Sequence, residues 1–167
     1  MNIVLTGFMA SGKTEISKRL AKLLKYNLVD TDLLIVDEEK MTINDIFAIK
    51  GEEEFRKIEH NVICRVSTMD KTVISTGGGV VLNKQNIQKL RTNGIIINLA
   101  PSFDVILARL SNARKSRPLL KDSDTESIRK RFNDRLPYYA DCDYKISVSN
   151  EHGPDYYAKE IVKLIQE

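Results

Sequence analysis

The chain has 167 residues, 42% of them hydrophobic and 29% charged, with a formal net charge of +3. That length fits one domain with a buried core, and no apolar run approaches the ~20 residues of a membrane span. So mild a positive balance argues against a strong nucleic-acid binder while allowing a local basic cleft for small anions.

Residues 2–6 are a short apolar run suited to a buried strand. Entering a strand this early leaves no room for a signal peptide, so a cytoplasmic protein is expected. Over residues 15–24, Ile16, Leu20, Leu23 and Leu24 recur at helical spacing. Between the two lies Gly7-Phe8-Met9-Ala10-Ser11-Gly12-Lys13-Thr14, which fits G-x-x-x-x-G-K-[ST] at every position. Strand, glycine loop and helix is the order in which main-chain N–H groups surround a phosphate at the positive end of a helix. Lys13 would reach the outer phosphates, and the Thr14 hydroxyl would complete the shell of a magnesium ion. A nucleoside triphosphate is the expected ligand.

Leu28-Val29 reads as a strand running into Asp30-Thr31-Asp32. Helices follow over 33–39 and 43–49, with Thr42 or Asn44 as a cap. Gly51 breaks the pattern, and 52–69 reads as a longer helix. Residues 72–75 form a short strand leading to Gly77-Gly78-Gly79. A helix over 84–92 has Asn93-Gly94 as its C-cap, and 95–99 is the most strand-like segment. Ser102 caps a helix carrying Val105, Ile106, Leu107 and Leu110, and the polar, basic stretch 111–124, with Pro118, reads as a loop. A helix over 125–136, a strand over 144–148 and a terminal helix opened by Pro154 complete the pattern. Nearly continuous apolar strands alternating with helices predict an α/β fold, a doubly wound parallel sheet covered on both faces. Ligands bind such sheets at the C-terminal strand ends, where the phosphate loop, the Asp pair and the triple glycine all lie. With no repeat or linker, residues 1–167 read as one domain.

The remaining polar residues suit phosphoryl transfer to a small hydroxy acid. Asp30 and Asp32 are two apart, so on an extended chain they share a face. One can hold magnesium through water while the other orients the acceptor hydroxyl and takes its proton. Arg56, after Gly51-Glu52-Glu53-Glu54-Phe55, would face the acceptor, and the glycines can offer amides or allow close approach. The stretch 112–122, with Arg114, Lys115, Arg117 and Lys121, reads as a flap closing on phosphates, Arg117 foremost. Arg135 could pair with a carboxylate in bidentate fashion. Asn83-Lys84-Gln85-Asn86 nearly spells a guanine-binding motif but lacks the final Asp, and the chain has no D-x-x-G, which argues against a guanine-nucleotide switch. His60 and His152 read as surface or capping residues. Cys64 and Cys142 form no disulfide or zinc pattern and are expected to be reduced.

As a set, and in order, these segments resemble the shikimate kinases: the phosphate loop, Asp30-Thr31-Asp32, Gly51 to Arg56 with Glu59, Thr76-Gly77-Gly78-Gly79, Ser116-Arg117-Pro118-Leu119-Leu120, and Arg135-Leu136-Pro137-Tyr138-Tyr139. The resemblance implies a P-loop fold of the nucleoside monophosphate kinase type, strand order 2-3-1-4-5. It implies transfer of the γ-phosphate of ATP to the 3-hydroxyl of shikimate, giving 3-phosphoshikimate and ADP, with Mg2+, on the route to chorismate and the aromatic amino acids. Ala10, Ser11, Gly12, Lys13, Thr14 and Glu15 would then hold the ATP phosphates, with Lys13 and Arg117 as the transition-state cations. Thr14 resembles the magnesium-binding hydroxyl and Asp30 the aspartate that holds the ion through water. Asp32 is similar to the residue that binds the ring hydroxyls and acts as base. Arg56 and Arg135 resemble the clamp on the shikimate carboxylate, with Gly77, Gly78 and Gly79 at the ring. Arg109 and Pro154 resemble the two faces of an adenine slot. Residues of about 33–61 would bind substrate and about 111–124 form a mobile lid. A monomer acting on small molecules, without nucleic-acid or membrane partners, is expected.

The chain departs from that pattern at three single positions, and its adenine loop around Asn150 to Gly153 matches only loosely, leaving His152 without a role. Ala10 stands where glycine is frequent, Glu15 where a small hydroxyl residue is usual, and Val36 where a carboxylate follows the Asp pair. Glu15 is expected to turn its side chain outward, leaving its amide for phosphate. Gluconate kinase is the alternative enzyme, and a non-catalytic nucleotide-binding regulator the alternative from another class; the triple glycine and Arg117-Pro118 disfavour the first, and intact Lys13, Thr14 and Asp32 the second.

Overall fold

Five strands, β1 (Asn2–Thr6), β2 (Asn27–Asp30), β3 (Thr72–Ser75), β4 (Gly94–Pro101) and β5 (Tyr144–Val148), form one parallel sheet in the order β2-β3-β1-β4-β5. The computed structural model describes residues 1–114 and 122–167. Its helices among these residues are α1 (Lys13–Leu24), α2 (Thr31–Glu39), α3 (Ile43–Val66), α4 (Lys84–Arg91), α5 (Phe103–Arg114), α6 (Asp122–Tyr139) and α7 (Pro154–Gln166).

The period of two along each strand splits the core into two layers. Val4, Ile74 and Ile96 pack with α3 to α6 on one face. Ile3, Leu5, Val73, Ile97 and Leu99 pack with Ile16 and Leu20 of α1 and with Tyr157 and Ile161 of α7 on the other. Both faces of the sheet's centre are therefore apolar, which is why the inner strands β1, β3 and β4 lack a polar alternation. Strand register then aligns the ends: Leu5 pairs with Ser75 and Ser75 with Asp30, so whatever follows each strand emerges side by side.

Several boundaries differ from the sequence pattern for identifiable reasons. Asp32 does not lie on an extended chain beside Asp30: α2 begins at Thr31, Asp30 caps it by accepting from Leu33 N at 3.1 Å, and Asp32 sits in its first turn. Asp30 thus stops the strand by offering the helix a partner for an open donor. Thr42 caps α3 as expected, accepting from Asp45 N at 3.1 Å, and Gly51 (φ 83°, ψ 165°) kinks that helix. Thr92, not Asn93-Gly94, ends α4, and Gly94 opens β4 with no room for a side chain, a Cβ there lying 2.7 Å from Leu90 O. The stretch 111–124 is narrower than a loop of that span: α5 continues to Arg114 and α6 starts at Asp122. Arg117, Lys115 and Lys121 lie outside the described residues. Helix α6 runs past Leu136 through Pro137. A proline so near the end removes a single helical bond, and Tyr139, buried beyond it, anchors the last turn.

Candidate active site

The phosphate loop leaves β1 and turns with Ala10 at φ 59° and Gly12 at φ 97°. Both are left-handed, and at Ala10 the Cβ makes that conformation cost roughly 1–2 kcal/mol. Ala10 is held there by its carbonyl, which accepts from Arg109 Nη1 at 2.7 Å. The first bond of α1 runs from Ile16 N to Gly12 O at 3.0 Å. The amides of Lys13, Thr14 and Glu15 therefore precede the intrahelical ladder, the arrangement that receives an anion. The Glu15 side chain is exposed and pairs with Lys18 at 3.0 Å, as its outward turn requires.

Lys13 folds back over its own loop. Its Nζ donates to Gly7 O at 2.5 Å, to Phe8 O at 3.1 Å and to Ser11 Oγ at 3.4 Å. Removal from water lowers its pKa from 10.5 to about 8, against the pull of Asp32 and Asp30.

Lys13, Asp30, Asp32, Arg56, Arg135 and the triple glycine all line one cavity of about 1000 Å³, which Thr14 also lines. Burial and the neighbouring Asp30 raise the pKa of Asp32, opposed by Lys13 and Arg56. The Asp32 carboxylate occupies the space beside Gly77 that a Cβ would need, and the Arg56 guanidinium does the same at Gly79. These glycines serve close approach rather than unusual torsion. A Cβ on Gly78 would lie 3.3 Å from Arg135 Nη1, so the turn touches all three charged residues.

Arg56 donates to Glu59 Oε1 at 2.9 Å and lies 5.2 Å from the centre of the Phe55 ring and 5.8 Å from that of Phe47. The aromatic faces and the carboxylate fix the guanidinium. Glu59 is only 1% exposed, and burial raises its pKa despite the ion pair. Arg135 stands 5.9 Å from the centre of the Phe8 ring and meets the Tyr139 hydroxyl, which donates to Gly78 O at 2.6 Å. Burial raises the pKa of Tyr139.

A second cavity of about 330 Å³ is lined by Arg109, Pro154, His152 and Glu15, and shares Ala10 and Gly12 with the first. Arg109 is braced by Asn150 Oδ1 at 2.9 Å and Ser149 O at 3.3 Å. Pro154 opens α7 as its first residue. The loop thus joins a polar cavity to a slot with a guanidinium and a proline in it.

Three residues of the site have no role in the sequence reading. Glu59 stands three after Arg56, a spacing that on a helix signals an ion pair. Thr31, between the aspartates, accepts from Gly77 N at 3.0 Å. Tyr139 had no local signal, since its partner Gly78 is distant along the chain. With Val36 in place of a carboxylate, the buried acid beside Arg56 comes from Glu59.

A family model described as shikimate kinase matches residues 9–166. A shikimate kinase of Caldicellulosiruptor saccharolyticus is 48% identical over 98% of this chain and 94% of its own length. One from Trichormus variabilis is 39% identical over 99% and 91%. Among solved structures, shikimate kinase from Acinetobacter baumannii in complex with shikimate superposes with a TM-score of 0.88, at 32% identity over 99% of this chain and 92% of that one. The enzyme from Bacteroides thetaiotaomicron gives 0.90 at 28% identity over 100% and 99%. With a fold, a phosphate cradle and near full-length similarity in agreement, the chain belongs to the shikimate kinase family.

Proposed function

We propose a division of labour in which this chain transfers the γ-phosphate of ATP to the 3-hydroxyl of shikimate. The observation that carries it is the single cavity in which Lys13, Asp32, Arg56 and Arg135 meet around the glycine turn. Arg56 and Arg135 form a two-sided clamp for the shikimate carboxylate. Asp32 binds the ring hydroxyls, orients the 3-hydroxyl and accepts its proton as the O–P bond forms and the bond to ADP breaks. Its raised pKa brings it closer to an effective base than an exposed aspartate. The loop from Ala10 to Glu15, with the open amides of Lys13, Thr14 and Glu15, holds the phosphates, Lys13 spreads the developing charge, and Arg109 with Pro154 encloses the adenine. Arg117 joins Lys13 in this role by its place in the family motif.

Thr14 and Asp30 would hold Mg2+. The Thr14 hydroxyl and the Asp30 carboxylate reach the same cavity, and few protein oxygens with phosphate and water completing the shell suit this ion. Bound there, the ion neutralises charge on the transferring phosphates. The proposal extends to a cytoplasmic monomer with one kinase domain over residues 1–167, a substrate-binding segment of about 33–61 and a lid of about 111–124. No helix among the described residues is long and apolar enough to cross a membrane.

The test is ADP release by the purified chain with magnesium and a panel of hydroxy acids. Shikimate-dependent release is expected. Release with gluconate in place of shikimate would transfer the substrate assignment to gluconate, and release without any acceptor would remove the clamp from the argument.

A further inference from the structure

We propose that His60 and Asn86 are positioning residues for the acceptor pocket, holding the glycine turn in register with the helix that carries Arg56 and Glu59. The inference rests on the shikimate reading and adds two residues to it.

The turn is the common wall of the pocket, touching Asp32 at Gly77, Arg135 at Gly78 and Arg56 at Gly79. It continues into a short 3-10 segment, Val80–Leu82, tied back by Val80 N to Gly77 O at 3.2 Å and Leu82 N to Gly79 O at 3.1 Å. The Val80 carbonyl in turn accepts from Asn86 Nδ2 at 3.0 Å. Asn86, on α4, is 1% exposed. A carbonyl only accepts, so the amide nitrogen of Asn86 faces Val80 and its Oδ1 faces His60 Nδ1, 2.6 Å away. His60 Nδ1 therefore carries the proton. Its Nε2 is left to accept from Cys64 Sγ at 3.5 Å, which fixes the ring from its other side.

His60 directly follows Glu59 and lies one helical turn beyond Arg56. A closed circuit results: Arg56 to His60 along α3, His60 to Asn86, Asn86 to Val80 O, and back through the turn to Gly79 against Arg56. Apolar contacts around Val62, Ile63, Val80 and Ile87 hold α3 and α4 together, but they are non-directional. The hydrogen-bonded pair is directional and sets where along α3 the turn sits. Since Gly79 touches the Arg56 guanidinium, a slip of this register displaces the clamp. The near-match to a guanine motif at 83–86 is thereby explained: Asn83 caps α4, accepting from Gln85 N at 2.9 Å, and Asn86 grips the turn.

The experiment is steady-state kinetics of the full chain for both substrates with Asn86→Leu, His60→Ala, His60→Gln and the Asn86→Leu/His60→Ala double variant. Asn86→Leu keeps the volume and removes both bonds. Its KM for shikimate should rise about three- to tenfold, the worth of one net hydrogen bond, with KM for ATP and kcat changed by less than about twofold. His60→Ala should do the same, His60→Gln should restore most of the loss, and the double variant should match Asn86→Leu alone, because His60 acts only through Asn86. An unchanged KM for shikimate, equal rises in both KM values, or additive effects would each overturn the proposal. Should Asn86→Leu not fold, the partly exposed His60 position decides: a difference between Ala and Gln in shikimate KM supports it and their equality sinks it. Wild-type protein that does not use shikimate is a different failure, striking the function itself, and the same assay reads it.

Discussion

Nucleotide binding above pH 8 should draw a proton from solution. Lys13, folded under the carbonyls of Gly7 and Phe8, keeps its proton only to about pH 8 instead of 10.5. A triphosphate placed against it favours the charged form and raises that value. Above pH 8 the free protein has lost a proton that the complex holds, so affinity falls as pH rises. For a complex that keeps this proton at pH 9, linkage gives an uptake of about 0.9 proton and an apparent Kd about tenfold weaker than at pH 7, or about 1.4 kcal/mol. ATP is itself fully deprotonated in this range and adds nothing to the slope. The same shift acts on folding with a defined sign. From pH 8 to 10.5 the unfolded lysine is protonated and the folded one is not, so Lys13 contributes stability that increases with pH. The assay is calorimetric titration of ATP at pH 7 and pH 9 in two buffers of different ionisation enthalpy, with Lys13→Met as control. Heats independent of buffer at pH 9, together with a constant Kd, would refute the reasoning.

Asp30→Asn keeps a competent helix cap but removes a charge that raises the Asp32 pKa; the acid limb of kcat/KM against pH should move to lower pH, and an unmoved limb would uncouple the two aspartates. Gly79→Ala needs no change of backbone, since φ there is −96°, yet its Cβ displaces the Arg56 guanidinium. Its KM for shikimate should rise about tenfold or more, the worth of one charge-assisted hydrogen bond, while thermal denaturation shows a nearly unchanged Tm. Arg109→Ala should raise KM for ATP and leave KM for shikimate alone, since Arg109 lines the 330 Å³ slot and not the larger cavity; a rise in both, read from the two substrate titrations, would disconnect that slot from adenine.

Much of this site is readable because local chemistry writes it into short segments. A phosphate cradle needs one strand, one turn and one helix start, so Gly7 to Thr14 announces itself without the rest of the chain. Asp30 and Asp32 also stand out, but the reason offered by spacing fails: they converge because Asp30 ends a strand by capping a helix, not because they share an extended face. The role of Glu59 was legible only in part, from its helical spacing to Arg56, and that of Tyr139 not at all. Its partner, Gly78, is 61 residues away.

What the sequence determined by itself was the alternation of apolar strands and amphipathic helices, hence a parallel sheet with two covered faces, and the identity of the groups at its strand ends. Periodicity and turn chemistry are properties of neighbours along the chain, and neighbours suffice to express them. Only the tertiary structure decided that Leu5, Ser75 and Asp30 end level with one another. That register brings Lys13, Asp32, Arg56 and Arg135 around one glycine turn and lowers the Lys13 pKa through burial. Distances across strands and the exclusion of water arise from packing between segments remote in sequence, and no local pattern encodes them.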